Sequence, residues 1–260
     1  MPLHDWHTYD HYGLALLAVL GTGLAVAAIQ GFIQSSRWAG WARSLQGVAP
    51  PFINIIGVLF GLTLAFLAND TWSAHDRAMN AVYREADGLR SIAALTAGLP
   101  DPLRDRLQAA IARYARASSA EWPQLAQRRE SAQVQAEADA LLALLATPEV
   151  ADVAGGNVQA LMLRKASEIR GDRDLRVALS KTHVNPLKWL GMAFLGFLTL
   201  VSVAAVHVER PRAAFVAVLL FALAAAPTAA IVLVQGNPFQ HPSAVTPAPI
   251  EAVAAALGAR

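Results

Sequence analysis

Long apolar runs alternate with one long polar block along the chain. Four segments contain no Lys, Arg, Asp or Glu: Tyr12–Gln34, Phe52–Ala68, Trp189–Val208 and Ala213–Gln235. A bilayer core about 30 Å thick is crossed by about 20 apolar residues in a helix that rises about 1.5 Å per residue. A charged residue at the centre of such a helix costs at least about 2.5 kcal/mol. The pattern therefore predicts a membrane protein with four transmembrane helices.

The polar block between the second and third apolar segments has the periodicity of amphipathic helices. Apolar residues recur at helical spacing in three stripes: Leu103, Leu107, Ile111 and Tyr114; Val134, Ala138, Leu141 and Leu145; Val158, Met162 and Ile169. Three stripes of this kind, joined by short turns, predict a helical bundle. From Asp70 to Lys181 the block contains 15 Lys and Arg and 15 Asp and Glu. This balance lacks the basic excess of a nucleic-acid-binding surface, so we expect no nucleic-acid partner.

We predict an all-α integral membrane protein with four transmembrane helices and a helical bundle inserted between the second and third. The predicted parts are an N-terminal transmembrane pair (1–68), a soluble helical bundle (69–188), a C-terminal transmembrane pair (189–235) and a tail (236–260). No proline or glycine separates the apolar and polar halves of residues 57–78. The first and last bundle helices are therefore expected to continue the second and third spans without a break.

The short loops between paired spans carry the charges that indicate orientation. They contain Arg37 and Arg43, then Arg210 and Arg212, whereas the first eleven residues contain no Lys or Arg. The positive-inside rule places these short loops in the cytoplasm and the bundle outside. Basic residues also flank the spans on the bundle side and argue for the opposite orientation: Arg77, Arg84, Lys181 and Lys188.

Composition and motifs do not favour an enzyme. Hydrophobic residues make up 55% of the chain and charged residues 15%, against about 25% charged in a soluble domain. The absence of cysteine excludes disulfides, thiolate metal sites and cysteine nucleophiles. His4, His7 and His11 are interleaved with aromatic residues, which is typical of a membrane-interface belt. The sequence has no phosphate loop, nucleophile elbow or zinc motif, so we expect no catalytic residues, cofactor or metal.

The second span carries the residues that could form a pore. Gly57, Gly61 and Ala65 lie on one helical face and suit close helix packing. Apolar residues at helical spacing could gate by dewetting, and a ring of Asp70 carboxylates at the mouth would favour cations. Lipid-facing or packed core positions are the alternative for these apolar residues. The pore or gate candidates are Asn54, Ile56, Phe60, Thr63, Leu64, Leu67, Asn69 and Asp70.

Four motifs occur in a recognisable order: YREADGLRSI, IARYARASSAEWP, LSKTHVNPLKWLG and VLVQGNPFQHPSAVTPAPIEAVAAAL. Over residues 52–257 this order resembles the bacterial family of unknown function labelled bestrophin-like. The residues that match the family signature are Glu85, Ala86, Tyr114, Glu121, Trp122, Pro123, Pro238 and Phe239. The chain departs from the family at Gln240-His241-Pro242, where family tails place a glycine shortly after Pro-Phe.

The resemblance implies kinship to bestrophins, which are oligomeric anion channels gated by apolar side chains. It therefore favours a homo-oligomeric ion channel that spans the bacterial inner membrane several times, in contact with membrane lipid and lined by the second transmembrane helix. One alternative is a non-conducting signalling or scaffold protein whose helical bundle binds a protein partner or senses a stimulus. Another is a flagellar-stator-type proton channel subunit, which shares the order of two spans, a soluble part and two spans but keeps its large domain cytoplasmic.

Overall fold

The computed structural model describes residues 10–35, 40, 49–182 and 185–258, and across these ranges the chain forms helices and no strand. His4, His7, Arg37 and Arg43 lie outside the described residues. The all-α prediction is confirmed. The helices are α1 (Asp10–Gln34), α2 (Ala49–Thr96), α3 (Asp101–Ala120), α4 (Trp122–Ala126), α5 (Ala132–Leu145), α6 (Pro148–Ala154), α7 (Gly156–Ser180), α8 (Pro186–Val206), α9 (Pro211–Val234) and α10 (Ala248–Gly258).

Among the described residues, four helices are long and apolar enough to cross a membrane: His11–Gln34, the first part of Phe52–Thr96, Pro186–Val206 and Pro211–Val234. The prediction of four spans is confirmed. These helices leave large apolar side chains on the protein surface, with Leu24 at 72% and Phe66 at 69% exposure. Such a surface is suited to lipid and unsuited to water.

The chain divides into two compact units. The described residues within Met1–Trp72 and His183–Gly236 form one, called here the span unit, and those within Ser73–Thr182 and Asn237–Arg260 form the other, the bundle unit. Residues after Gly236 pack in the bundle unit, where Ile250 and Val253 of α10 are buried and α10 lies against α3. The four-part division drawn from the sequence stays a prediction.

The second span continues into the bundle, as expected from its sequence. Helix α2 is unbroken from Ala49 to Thr96, and its two prolines lie in the first turn, where the missing N–H is not needed.

The expectation that the third span continues the last bundle helix was wrong. Helix α7 ends at Ser180 and α8 begins at Pro186. Proline is favoured in the first turn of a helix, where its missing N–H is not needed. The Asn185 side chain caps α8 by accepting hydrogen bonds from two backbone N–H groups, those of Leu187 at 3.1 Å and Lys188 at 3.4 Å.

The three apolar stripes form a large part of the core of the bundle unit, together with buried residues of α2 and α10. Leu107, Ile111 and Tyr114 of α3 are fully buried, and so are Val134, Leu145 and Met162 on the other two helices. Helices α2 and α7 approach closely at Gly88, where a Cβ atom would lie only 2.7 Å from Cγ1 of Ile169. The stripes therefore predicted the buried faces of the bundle helices.

Candidate functional site

A charged pair lies at the centre of the bundle unit. Arg176 of α7 donates from Nε to Oε2 of Glu85 at 2.8 Å and from Nη2 to Oε1 at 3.1 Å. Both side chains are fully buried. A bidentate pair of this kind fixes orientation as well as charge, because both planar groups must align. The pair therefore fixes α7 against the bundle part of α2.

Helix α3 supplies two hydroxyl groups to the same carboxylate. Tyr114 and Ser118, four residues apart and so on one helical face, donate to Oε1 of Glu85 at 2.9 and 2.7 Å. Nη2 of Arg176 also donates to the hydroxyl oxygen of Ser118 at 2.8 Å. Three helices thus meet at the single carboxylate of Glu85.

A second buried pair adjoins the first. Nη2 of Arg173 donates to Oε1 of Glu121 at 2.7 Å, and the Ser131 backbone N–H donates to the same oxygen at 2.9 Å. Arg173 also donates from Nη1 to the Gln135 side chain at 2.9 Å and from Nη2 to the Ser131 carbonyl at 3.0 Å. Nη2 of Arg176 lies 3.8 Å from the other oxygen of Glu121. Two carboxylates face two guanidinium groups, so the charges of this buried network balance.

Trp122 connects the network to the C-terminal segment. The guanidinium carbon of Arg176 lies 4.8 Å from the centroid of the Trp122 ring, within cation–π range. The indole N–H donates to the Val245 carbonyl at 2.6 Å. Phe239 meets the indole edge-on, with ring centroids 5.8 Å apart at an interplanar angle of 86°. The residues after the fourth span are therefore held by an aromatic side chain that also contacts the buried charges.

Two amide side chains fasten the same C-terminal segment to the end of α4. Asn237 is buried, donates to the Leu125 carbonyl at 3.3 Å and accepts the Phe239 backbone N–H at 3.0 Å. The Gln240 side chain donates to the Ala126 carbonyl at 2.7 Å. Gln240 belongs to the tripeptide where the sequence departs from the family pattern. In this chain that departure supplies a hydrogen bond.

Two members of the network, Tyr114 and Arg176, have shifted pKa values. The pKa of Tyr114 lies well above its usual value, because burial and the adjacent Glu85 carboxylate both disfavour a phenolate. Burial lowers the pKa of Arg176, but the carboxylates of Glu85 and Glu121 and the Tyr114 hydroxyl outweigh it, and the net pKa is raised. Among the described residues no group of His, Asp and Glu is arranged to hold a metal ion. Chemically, the network is a set of fixed, paired charges.

The structure brings the sequence-predicted signature residues together. Glu85, Tyr114, Glu121, Trp122 and Phe239 form or contact one network, as given above. Of the two signature prolines, Pro123 lies in the first turn of α4. The Pro238 carbonyl accepts the Val245 backbone N–H at 2.8 Å.

Sequence reasoning missed several members of this network, among them Ser118, Arg173 and Arg176. It also assigned no contact to Asn237 and Gln240, which fasten the C-terminal segment. A signal for the two arginines was present. Arg173 and Arg176 follow Ile169 by four and seven residues, so they continue the buried stripe of α7 with charged side chains.

Several pore or gate candidates of the second span lie inside the span unit. Phe60 and Leu67 are buried at 9% and 6% exposure, and Leu64 packs in the same cluster. The Phe60 ring lies 5.4 Å from that of Phe221. In the single chain these residues therefore occupy packed core positions, the alternative that the sequence left open. Their role in a pore or gate stays a prediction.

The other candidates differ in their exposure. Asn54, Asn69 and Asp70 are exposed, whereas Ile56 and Thr63 are half-buried. The Thr63 hydroxyl donates to the Leu59 carbonyl at 2.8 Å within its own helix. The candidates therefore include buried, half-buried and exposed positions of α2.

The small-residue positions of α2 have free space beside them within the chain. A Cβ atom built at Gly57 or at Gly61 would meet no heavy atom of a neighbouring part of the described chain within 4 Å. Gly61 and Ala65 are exposed. Their predicted role in helix packing stays a prediction.

Asp70 has a partner at the end of the second span. Nζ of Lys188 donates to Oδ2 of Asp70 at 2.7 Å, with both side chains more than half exposed. Two residues further along α2, the Trp72 indole N–H donates to the Gln235 side chain at 3.0 Å. Because Lys188 opposes its charge, Asp70 does not contribute an uncompensated negative charge here.

The fold and these two sites define an all-α, multi-pass membrane protein whose helical bundle encloses a neutral network of buried charges. The sequence profile of the Bestrophin-like domain matches residues 20–250. The chain therefore belongs to the bestrophin-like family, as its motifs predicted. No curated protein sequence matches the chain.

Crystal structures share this fold. A single-site variant of a bacterial bestrophin homologue from Klebsiella pneumoniae aligns with a TM-score of 0.69 at 14% identity, over 94% of this chain and 96% of that chain. Another variant gives 0.63 at 15% identity over the same shares. A structure described as a membrane protein gives 0.66 at 15% identity, over 94% of this chain and 96% of that one. At these identities the likeness establishes the fold alone.

Proposed function

We propose that the protein is a subunit of a homo-oligomeric ion channel in the bacterial inner membrane and that its second transmembrane helix lines the pore. Membership in the bestrophin-like family favours a channel over an enzyme. The observation that carries the choice of helix is the exposed side of α2, opposite the side that holds Phe60 and Leu67.

This side of α2 is called here the open face. Asn54, Val58, Gly61, Ala65 and Asn69 recur on it at intervals of three or four residues, and all are exposed. Asn54 lies within the apolar segment Phe52–Ala68, where an unpaired amide facing hydrocarbon is costly and a polar surrounding is favoured, and Asn69 directly follows that segment. Between them the face is small and apolar, which suits a constriction that gates by dewetting. A ring of such faces would provide polar ends and an apolar middle.

The packed side of α2 supports this arrangement. Phe60 fits against Gly196 of α8, where a Cβ atom would lie 3.1 Å from the Phe60 ring, and it also contacts Phe221 of α9. These contacts fix the rotation of α2 within the span unit, with the open face turned away from α8 and α9 and available to line a pore.

Cysteine accessibility tests this proposal directly, because the chain has no native cysteine. The protein is purified, reconstituted in planar bilayers and recorded under voltage clamp. We expect ion currents, and we expect a charged methanethiosulfonate reagent to block most of the current of Ala65→Cys. Ala27→Cys is the matched control, because Ala27 is an exposed alanine within the first span. Electrical silence over a range of salts, voltages and pH values contradicts channel function, and equal block of both variants contradicts lining by α2.

A second candidate function rests on the continuity of α2. One helix runs from Ala49 to Thr96 without a break and has residues in both units. A continuous helix can transmit a shift from one compartment to another. A non-conducting signalling or scaffold protein would then use its bundle to bind a partner or sense a stimulus. Electrical silence together with a stoichiometric co-purifying protein would favour this function.

A further inference from the structure

The span unit contains a cavity of about 470 Å³ bounded by α1, α8, α9 and Phe60 of α2. This volume falls within the range of about 300–1,000 Å³ that is usual for ligand sites. The residues that line it carry no charge. The hydroxyl of Thr22, one of the few polar groups on the wall, donates to the Ala18 carbonyl within its own helix at 2.7 Å. The wall is therefore suited to a hydrocarbon ligand.

The cavity is as deep as one leaflet of a bilayer. Along α1 its wall runs from Leu14 to Ala25, and eleven residues of helix rise about 16 Å. The hydrocarbon core of a bilayer is about 30 Å thick, so a single leaflet contributes about 15 Å. Pro186 and Trp189 line one end, at the start of α8. Tryptophan is the residue that marks the boundary between headgroups and hydrocarbon.

The cavity also opens to the outer surface of the span unit. Three of its lining residues are strongly exposed at the same time: Leu17 at 64%, Leu190 at 67% and Phe197 at 47%. In a membrane this surface faces acyl chains, and close packing favours filling such a space. We propose that the cavity binds one acyl chain of a phospholipid from the leaflet on the side where α1 begins and α9 ends.

Photo-crosslinking in vesicles tests the proposal. The protein is reconstituted in phosphatidylcholine vesicles doped with a phosphatidylcholine that carries a diazirine midway along one acyl chain. After illumination, adducts are mapped by peptide mass spectrometry. We expect adducts on Leu17 and Ala193 at a yield well above that of Leu24, which faces outward at 72% exposure and does not line the cavity.

Two glycines of α1 provide a matched pair of variants. A Cβ atom built at Gly21 or at Gly23 would meet nothing within 4 Å, but only Gly21 lines the cavity. Gly21→Leu should lower the adduct yield on the cavity wall severalfold, and Gly23→Leu should leave it unchanged. Ala193→Leu fills the cavity from α8 and replaces Gly21→Leu if that variant does not fold.

The proposal is overturned if the cavity wall yields no more adduct than Leu24. It is also overturned if a folded variant that fills the cavity gives the same adduct yield as Gly23→Leu. A filling variant that changes the oligomeric mass but not the adduct yield would instead assign the cavity to a second copy of the chain.

Discussion

The carboxylate of Glu85 and the guanidinium of Arg176 form a bidentate pair with both side chains fully excluded from solvent. Removing two charges from water costs several kcal/mol per ion, and only close geometry with further hydrogen bonds compensates. Here Tyr114, Ser118 and Trp122 supply those contacts. We expect the pair to favour one packing of α2, α3 and α7, because these hydrogen bonds to Glu85 and Arg176 form only when the three helices meet as described.

Breaking this pair should destabilise the bundle. Arg176→Met leaves the Glu85 carboxylate buried and uncompensated, and we expect a loss of about 3–5 kcal/mol in the free energy of unfolding. Thermal unfolding of the detergent-solubilised protein measures the change. Adding Glu85→Gln to Arg176→Met removes the stranded charge and should restore part of the loss.

Arg106 is the matched control for this prediction. It donates to both oxygens of Glu149, at 3.1 and 3.0 Å, but these two side chains are 50% and 47% exposed. Exposed pairs contribute about 0–1 kcal/mol, so Arg106→Met should change stability little. Equal losses in Arg106→Met and Arg176→Met would show that burial of the pair is not what matters.

Tyr114 should make the protein less stable at alkaline pH. Its pKa is raised in the folded state by burial and by Glu85, and a phenol in the unfolded chain titrates near pH 10. Above about pH 10 the unfolded chain loses the Tyr114 proton, which the folded chain retains. The contribution of Tyr114 to the free energy of unfolding is therefore complete below that pH and declines above it. Each proton difference steepens the decline by about 1.4 kcal/mol per pH unit.

Unfolding measured between neutral pH and pH 11 checks this. Tyr114→Phe should lower stability at neutral pH, because Glu85 loses a donor, and should flatten the alkaline decline. Tyr83→Phe, at a tyrosine that is 54% exposed, should keep the alkaline slope of the unsubstituted protein. An unchanged slope in Tyr114→Phe would refute the assignment.

Gly88 permits the close approach of α2 and α7. Gly88→Ala would place a Cβ atom 2.7 Å from Cγ1 of Ile169, and overpacking of this kind costs about 1–3 kcal/mol. The double variant with Ile169→Ala removes the clashing atom and should cost less than the two single changes summed. Gly171→Ala on α7 meets nothing within 4 Å, so the better helix propensity of alanine should leave it neutral or slightly stabilising. Additive effects in the double variant would count against a direct clash.

The side of the membrane on which the bundle lies is a prediction drawn from the charges of the short loops. The positive-inside rule predicts an extracytoplasmic bundle. Paired reporter fusions at Ala132, where α5 begins, check this: an alkaline phosphatase fusion should be active and a green fluorescent protein fusion dark. The same result would exclude the flagellar-stator alternative. The reverse pattern would place the bundle in the cytoplasm.

The sequence predicted the elements of this structure better than their connections. Periodicity identified Leu107, Ile111 and Met162 as buried, because a helix buries one face whatever its partner. It could not pair Glu85 with Arg176, because nothing local relates two residues 91 positions apart. Pro186 marks the start of α8, as proline often does in a first helical turn, whereas the apolar run of the third span does not show where the helix begins. Similarly, the apolar stripe of α2 gave the spacing of Phe60 and Leu67 but not the direction in which they face.

The pair of Asp70 and Lys188 gives the last prediction, which concerns ion preference. Lys188 opposes the Asp70 carboxylate at 2.7 Å with both side chains half exposed, so a pore mouth at this level carries no net charge from the pair. Lys188→Gln should shift the reversal potential in a salt gradient towards cations and Asp70→Asn towards anions, each by about fivefold in permeability ratio, because one charge at about 4 Å in water contributes about 1 kcal/mol. The double variant should resemble the unsubstituted protein. Stability should change by less than about 1 kcal/mol in all three variants, since the pair is exposed. Shifts of the same sign in the two single variants, or none in either, would remove this pair from the permeation path and leave it as a contact between α2 and α8.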